Sequence, residues 1–210
     1  MKLTVFGASG GIGTELVRQG LDAGHHVTAV VRETSRLAVE PHPNLKVVVA
    51  DVMDPAAIGP AVAGREAVLS ALGTRVSGPT AVNSDGARSI IQAMQDAGVR
   101  RLLMVSVAGI HTKGDDPFLR FVVKPVLGRF LRHSFADVRQ MEALVRNSGL
   151  DWTLVCPPRL TNGKRSGKVR SNAERNVRGG FTIARADVAA YLLGAVQADE
   201  VVGATVSVAG

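Results

Sequence analysis

Apolar residues recur along the chain in two periods. Runs rich in valine, isoleucine and leucine at residues 2–6, 26–31, 45–50, 67–71, 101–105 and 152–155 predict strands, and their near-continuous apolar character predicts burial on both faces. Residues 14–21, 55–63, 81–97, 135–147 and 186–198 instead carry apolar side chains at helical spacing. Asp54 before Pro55 reads as a capped helix start, and Gly98 and Gly149 read as glycine-closed helix ends. Strands and helices alternate throughout. That order predicts an α/β fold, a doubly wound, mostly parallel sheet with helices on both faces, in one domain over residues 1–210.

Two connections, 111–134 and 157–180, are too long for ordinary loops. Both follow late strands, and open parallel sheets bind ligands beyond the carboxyl ends of their strands. They are expected to build a substrate pocket.

Composition narrows the chemistry. The 210 residues suffice for one well-buried core, and no apolar run reaches the length of a membrane span, so a soluble cytoplasmic protein is expected. Cys156 is the only cysteine, which excludes an intrachain disulfide, and the five histidines show no metal-ligand spacing, so no metal is expected. The net charge of +7 gathers in Arg120, Lys124, Arg129 and Arg132 and again between Arg159 and Arg178. Only 4% of residues are aromatic, which argues against a nucleic-acid surface and for a solvated one.

The sharpest local signal is Gly7-Ala8-Ser9-Gly10-Gly11-Ile12-Gly13, between the first strand and the first helix. Glycines let a backbone approach a phosphate closely, and a helix N-terminus adds partial positive charge. The spacing is G-x-x-G-x-x-G, not the standard G-x-G-x-x-G. Ser9, Gly10, Gly11 and Ile12 are candidates for a pyrophosphate cradle closed by Gly7 and Gly13. At the end of the second strand, where an acidic residue would meet a ribose 2′-hydroxyl, stands Arg32, followed by Ser35 and Arg36. Forked donors there suit a 2′-phosphate, so NADPH is expected over NADH. Asp51 and Val52 are candidates for the adenine edge. Ala71, Leu72, Gly73 and Thr74 end the fourth strand at the switch-point side of the sheet, where a backbone passes close to the cofactor.

These stretches, with Val31-Arg32-Glu33-Thr34-Ser35-Arg36-Leu37, Leu72-Gly73-Thr74-Arg75, Asp85-Gly86-Ala87-Arg88 and Arg185-Ala186-Asp187-Val188-Ala189, resemble the atypical short-chain dehydrogenase/reductases. Within that group the chain is most similar to the NmrA-like branch, which includes flavin and biliverdin reductases. The resemblance runs over nearly the whole chain. It implies a Rossmann-type domain that binds NADPH and reduces a small planar acceptor (flavin, biliverdin or quinone), as a monomer or homodimer. It further implies that Ser106, ending the fifth strand, lies beside the nicotinamide, and that Pro157, Pro158 and Arg159 pass near it, with Arg159 facing an anionic substrate group.

The departures from the family are specific. The Tyr-x-x-x-Lys pair that protonates a carbonyl oxygen in its ketoreductases is absent, and the only tyrosine is Tyr191, in the last helix. Flavin reduction does not require that pair, since water can supply the proton. Ser106 is followed by Val107, so only half of a hydroxyl pair is present. Cys156 stands where relatives often carry arginine and reads as a small buried residue with no base placed beside it in any motif. Phe118 and Phe121 are candidates for a stacking surface. The incomplete catalytic set also fits an NADP sensor without turnover, or a tailoring reductase or epimerase-like enzyme.

Overall fold

The computed structural model describes residues 1–34, 37–73, 80–114, 132–173 and 175–210. Ten strands and five α-helices alternate among them, and the expected fold class is the one observed. The order is β1 (Lys2–Phe6), α1 (Gly11–Asp22), β2 (His26–Val31), β3 (Leu45–Val49), α2 (Pro55–Val62), β4 (Ala67–Ser70), α3 (Val82–Asp96) and β5 (Arg101–Val105). After β5 come α4 (Arg132–Arg146), β6 (Asp151–Cys156), β7 (Arg159–Thr161), β8 (Arg170–Asn172), β9 (Thr182–Ala184), α5 (Arg185–Gly194) and β10 (Ala204–Ala209).

The main sheet runs β3-β2-β1-β4-β5-β6-β10-β8, parallel except for β8, and β7 with β9 form a separate two-stranded sheet. The chain winds one way from β1 to β3 and the other from β4 onward, so the switch point falls between β1 and β4. Strand alternation divides β1 between two cores. Leu3 and Val5 pack with Leu16, Val17, Val188 and Leu192 of α1 and α5, while Phe6 packs with Ile58, Ile90, Met94 and Met141 of α2, α3 and α4.

Local chemistry explains the helix ends. Asp54 Oδ1 accepts from the backbone N–H groups of Ala56 (2.9 Å) and Ala57 (3.2 Å), and Gly98 and Gly149 take left-handed backbone at +67° and +71°. Helix α3 has no side-chain cap of its own, and buried Asp137 of α4 accepts from the N–H groups of Asn83 (3.0 Å) and Ser84 (2.9 Å) instead. This contact fixes α4 against the start of α3.

Three expectations are corrected. The run at 45–50 is not buried on both faces: β3 is the sheet edge, and Val49 is 59% exposed. Residues 157–180 are not simply a long loop, because they contain β7 and β8. The last helix ends at Gly194, with short 3₁₀ turns following, and α4 begins at Arg132, three residues before the periodic pattern. Most of the 111–134 segment, with Phe118, Phe121, Arg120, Lys124 and Arg129, lies outside the described residues.

Candidate active site

The glycine turn is shaped by two different demands. Gly7 has φ of +71°, and a Cβ on it would lie 2.6 Å from the carbonyl oxygen of Ala71, so β1 can turn this tightly against the end of β4 only without a side chain. A Cβ on Gly13 would collide with the Gly7 carbonyl, which fixes how closely α1 sits on the turn. The Gly10 N–H donates to Gly7 O (2.9 Å), and Thr14 Oγ1 donates to Ala8 O (3.1 Å). Gly10 caps α1 with extended backbone, no side chain hydrogen-bonds the cap, and the first turn carries no acidic residue. An anion at this helix end meets N–H donors and the positive end of the helix dipole.

A cleft of about 740 Å³ opens from the turn. Gly7, Ser9 and Gly10 line one side of it, Arg32 the end of β2, Asp51 and Val52 the end of β3, and Ala71, Leu72 and Gly73 the end of β4. Nine of the expected cofactor residues therefore share one cavity at the switch point. Glu33 also lines it, next to Arg32, and sequence reasoning passed over this residue. Asp51 accepts from the Met53 N–H (3.0 Å) while it faces the cleft, so it serves the turn as well. Ile12 and Gly13 lie buried in the first turn of α1, and Gly11 is exposed. Ser35, Arg36 and Thr74 lie outside the described residues.

Arg185 is a cation at this helix end that the sequence did not signal. Its side chain lies across Gly11, where a Cβ would meet Arg185 Cδ at 2.5 Å, and its Nη1 donates to Asn162 Oδ1 (2.6 Å). Glycine at position 11 leaves room for that arginine. Arg185 opens α5 and Asn162 follows β7, so only the fold brings them to the turn.

The ends of β5 and β6 form the other region. The Ser106 N–H donates to Val155 O (2.7 Å), and the Ala108 N–H donates to Pro157 O (3.0 Å), holding the two strand ends together. Ser106, Pro157, Pro158 and Arg159 are not among the residues lining the cleft. Arg159 is exposed on β7, where its N–H donates to Phe181 O (3.3 Å). Ser106 is 2% exposed, and its hydroxyl donates to Glu142 Oε1 at 2.5 Å. The side chain expected at the nicotinamide is thus engaged with a buried carboxylate.

Glu142 of α4 gathers three further partners. Its Oε1 pairs with His111 Nε2 (3.0 Å) and its Oε2 with Arg146 Nη2 (2.8 Å), while Cys156 Sγ lies 3.9 Å from Oε1. Burial alone would raise the Glu142 carboxyl, but the hydrogen bonds from His111 and Ser106 and the Arg146 charge hold it below the usual carboxylate range. Cys156 Sγ is 3.6 Å from His111 Nε2. The expectation that no base stands beside this cysteine is corrected, because β6 and the turn after β5 juxtapose residues 45 positions apart. Burial, reinforced by the Glu142 charge, pushes the thiol up to about 12, so at neutral pH it is not a nucleophile. Tyr191 is half-buried on α5, its phenol raised by burial.

Known proteins place this architecture. A family model described as NAD(P)H-binding matches residues 7–199. The uncharacterized protein YwnB of Bacillus subtilis is 27% identical over 199 residues, 92% of this chain and 91% of its own length. YhfK of the same organism, an uncharacterized sugar epimerase by name, is 30% identical over 195 residues, 90% of this chain and 85% of its own. Among solved structures, a short-chain dehydrogenase/reductase from Veillonella parvula in complex with NADP superposes with a TM-score of 0.85 at 20% identity, covering 100% of this chain and 94% of that one. No helix among the described residues is long and apolar enough to cross a membrane. With the glycine turn, the switch-point cleft and the family match over 7–199 in agreement, the chain belongs to the NAD(P)H-binding family and carries its Rossmann-type fold.

Proposed function

We propose that the protein is an NADPH-dependent reductase that passes hydride to a planar acceptor of the flavin class. The carrying observation is the position of Arg32 at the end of β2, inside the cleft that also holds Gly7, Ser9 and Gly10. Its guanidinium offers a fork to a 2′-phosphate, and the turn and α1 N-terminus offer donors to a pyrophosphate. NADPH, when bound, supplies the hydride. The residues of the chain bind and orient it, and the acceptor takes its proton from water, which accords with the missing Tyr-x-x-x-Lys pair. The same absence weighs against an epimerase that needs a tyrosine base.

A second reading has its own support. Ser106 is locked to Glu142, and none of the described residues lining the cleft comes from β5 or β6, as suits a protein that senses NADP without turnover. Purified protein incubated with NADPH and FMN, riboflavin, a quinone or biliverdin separates the two. Oxidation of NADPH dependent on the acceptor, faster than with NADH, is expected. Tight NADP binding with no oxidation across the panel overturns the reductase in favour of the sensor. Equal use of NADH removes the 2′-phosphate assignment, and Glu33 beside Arg32 would then be its natural explanation.

A further inference from the structure

His111, Glu142 and Cys156 form, among the described residues, a cluster of three metal-ligating side chains whose donor atoms all lie within 4.8 Å of one another. From the juxtaposition of His111 Nε2, Glu142 Oε1 and Cys156 Sγ we infer that this cluster is a Zn²⁺ site with one open coordination position.

The geometry carries the assignment. The three donors are separated by 3.0, 3.6 and 3.9 Å. A triangle with those sides has a point about 2.1 Å from every corner, against zinc bond lengths of about 2.0–2.2 Å to nitrogen and oxygen and about 2.3 Å to sulfur. A small rise of the ion out of the donor plane, with a slight shift away from sulfur, accommodates the longer bond to sulfur and faces a fourth position toward water or a ligand oxygen. Without an ion, the same atoms make a hydrogen-bonded cluster with Ser106. The ion replaces the hydrogen bond between His111 and Glu142.

The donor set selects the metal. A thiolate and an imidazole argue against Mg²⁺ and Ca²⁺, which take oxygen ligands, and a carboxylate argues against Cu⁺. Zinc suits all three donors. Binding is an exchange without redox change: Cys156 gives its thiol proton to solvent, His111 binds through a deprotonated Nε2, and Glu142 is already ionised.

The surroundings orient the ligands. Arg146 holds the other oxygen of Glu142 and is itself tied to Thr205 Oγ1 (3.1 Å). Asn176 Nδ2 donates to His111 O (2.8 Å), and Ser207 Oγ donates to Asn176 Oδ1 (2.8 Å), so β10 supports the backbone that presents His111. Outer partners of this kind set ligand direction in metal sites. His111 is partly exposed, while Glu142 and Cys156 are buried, which gives an ion a way in from one side.

Metal-free full-length protein titrated with Co²⁺ tests the site. One equivalent is expected to produce a sulfur-to-cobalt charge-transfer band, bleached by one equivalent of Zn²⁺. Cys156→Ser should abolish the band. Loss of an outer partner alone weakens metal sites about 10–100-fold, so His111→Gln should weaken Zn²⁺ binding by at least ~100-fold in competition with a chromophoric chelator. Circular dichroism of the metal-free variants establishes that they are folded. Stoichiometric cobalt binding without the band, or equal Zn²⁺ affinity in the parent and both variants, overturns the site and leaves a hydrogen-bonded cluster. Neither result bears on NADPH oxidation, so the reductase reading stands or falls separately.

Discussion

The cleft at the ends of β1, β2, β3 and β4 and the cluster at the ends of β5 and β6 are built by opposite means. The first is mostly backbone: a glycine turn, a helix terminus and strand ends, with Arg32 and Glu33 as its charged side chains near β2. The second consists of side chains from four separate places in the chain, Ser106, His111, Glu142 and Cys156, each defined by its partners. A site made of backbone tolerates almost no change in shape but most changes in side-chain chemistry. A site made of side chains has the reverse tolerance.

The largest test of that contrast is Gly7→Ala. Its side chain would enter left-handed backbone and meet the Ala71 carbonyl, so a loss of at least about 3 kcal/mol in denaturant unfolding and loss of nucleotide binding are expected. Ordinary stability and retained NADP binding would show that the turn is more pliable than its packing implies.

Glu142→Gln is the counterpart at the other end. It removes the charge from three hydrogen bonds while keeping the shape, at a cost of about 1.5–3 kcal/mol in unfolding free energy. NADP affinity by calorimetry should be unchanged, since Glu142 is not among the cleft residues. A matching loss of NADP affinity would mean the two regions act as one.

Arg32→Ala should raise the Kd for NADP about tenfold, worth about 1.4 kcal/mol, and leave NAD unaffected. Equal weakening of both nucleotides would place Arg32 on the pyrophosphate or on no phosphate at all. Arg185→Ala should weaken NADP and NAD alike by about three- to tenfold, because its guanidinium stands by Gly11 and not by the 2′-position. Selective loss of NADP in this variant would exchange the roles of the two arginines.

The contrast also explains what the sequence disclosed. Gly7 to Gly13, Arg32, Asp51 and Ala71 were legible because each sits at the end of an apolar run, and a parallel sheet brings such ends to one side. The cluster was not legible, since His111 and Cys156 are 45 positions apart and no linear spacing encodes their 3.6 Å contact. Arg185 over Gly11 was hidden for the same reason. Position in the sheet was hidden too: Val47, Val48 and Val49 read as a core strand, and only the strand order makes them an edge. The three-residue strands β7, β8 and β9 are too short for any period to register. In β10, Thr205-Val206-Ser207-Val208 does alternate, but without the continuous apolar run that marked the others.

The fit of Gly7 against Ala71 also has a consequence for assembly during translation. Strand β1 is central, paired with β2 on one side and with β4 on the other, and its Thr4 hydroxyl donates to the Ala61 carbonyl of α2. Until about residue 71 has emerged from the ribosome, the turn has nothing to close against. The glycine turn is thus encoded at residues 7–13 yet fixed only once the chain has been made to about residue 71. A nascent chain that ends before β4 lacks the wall against which Gly7 closes.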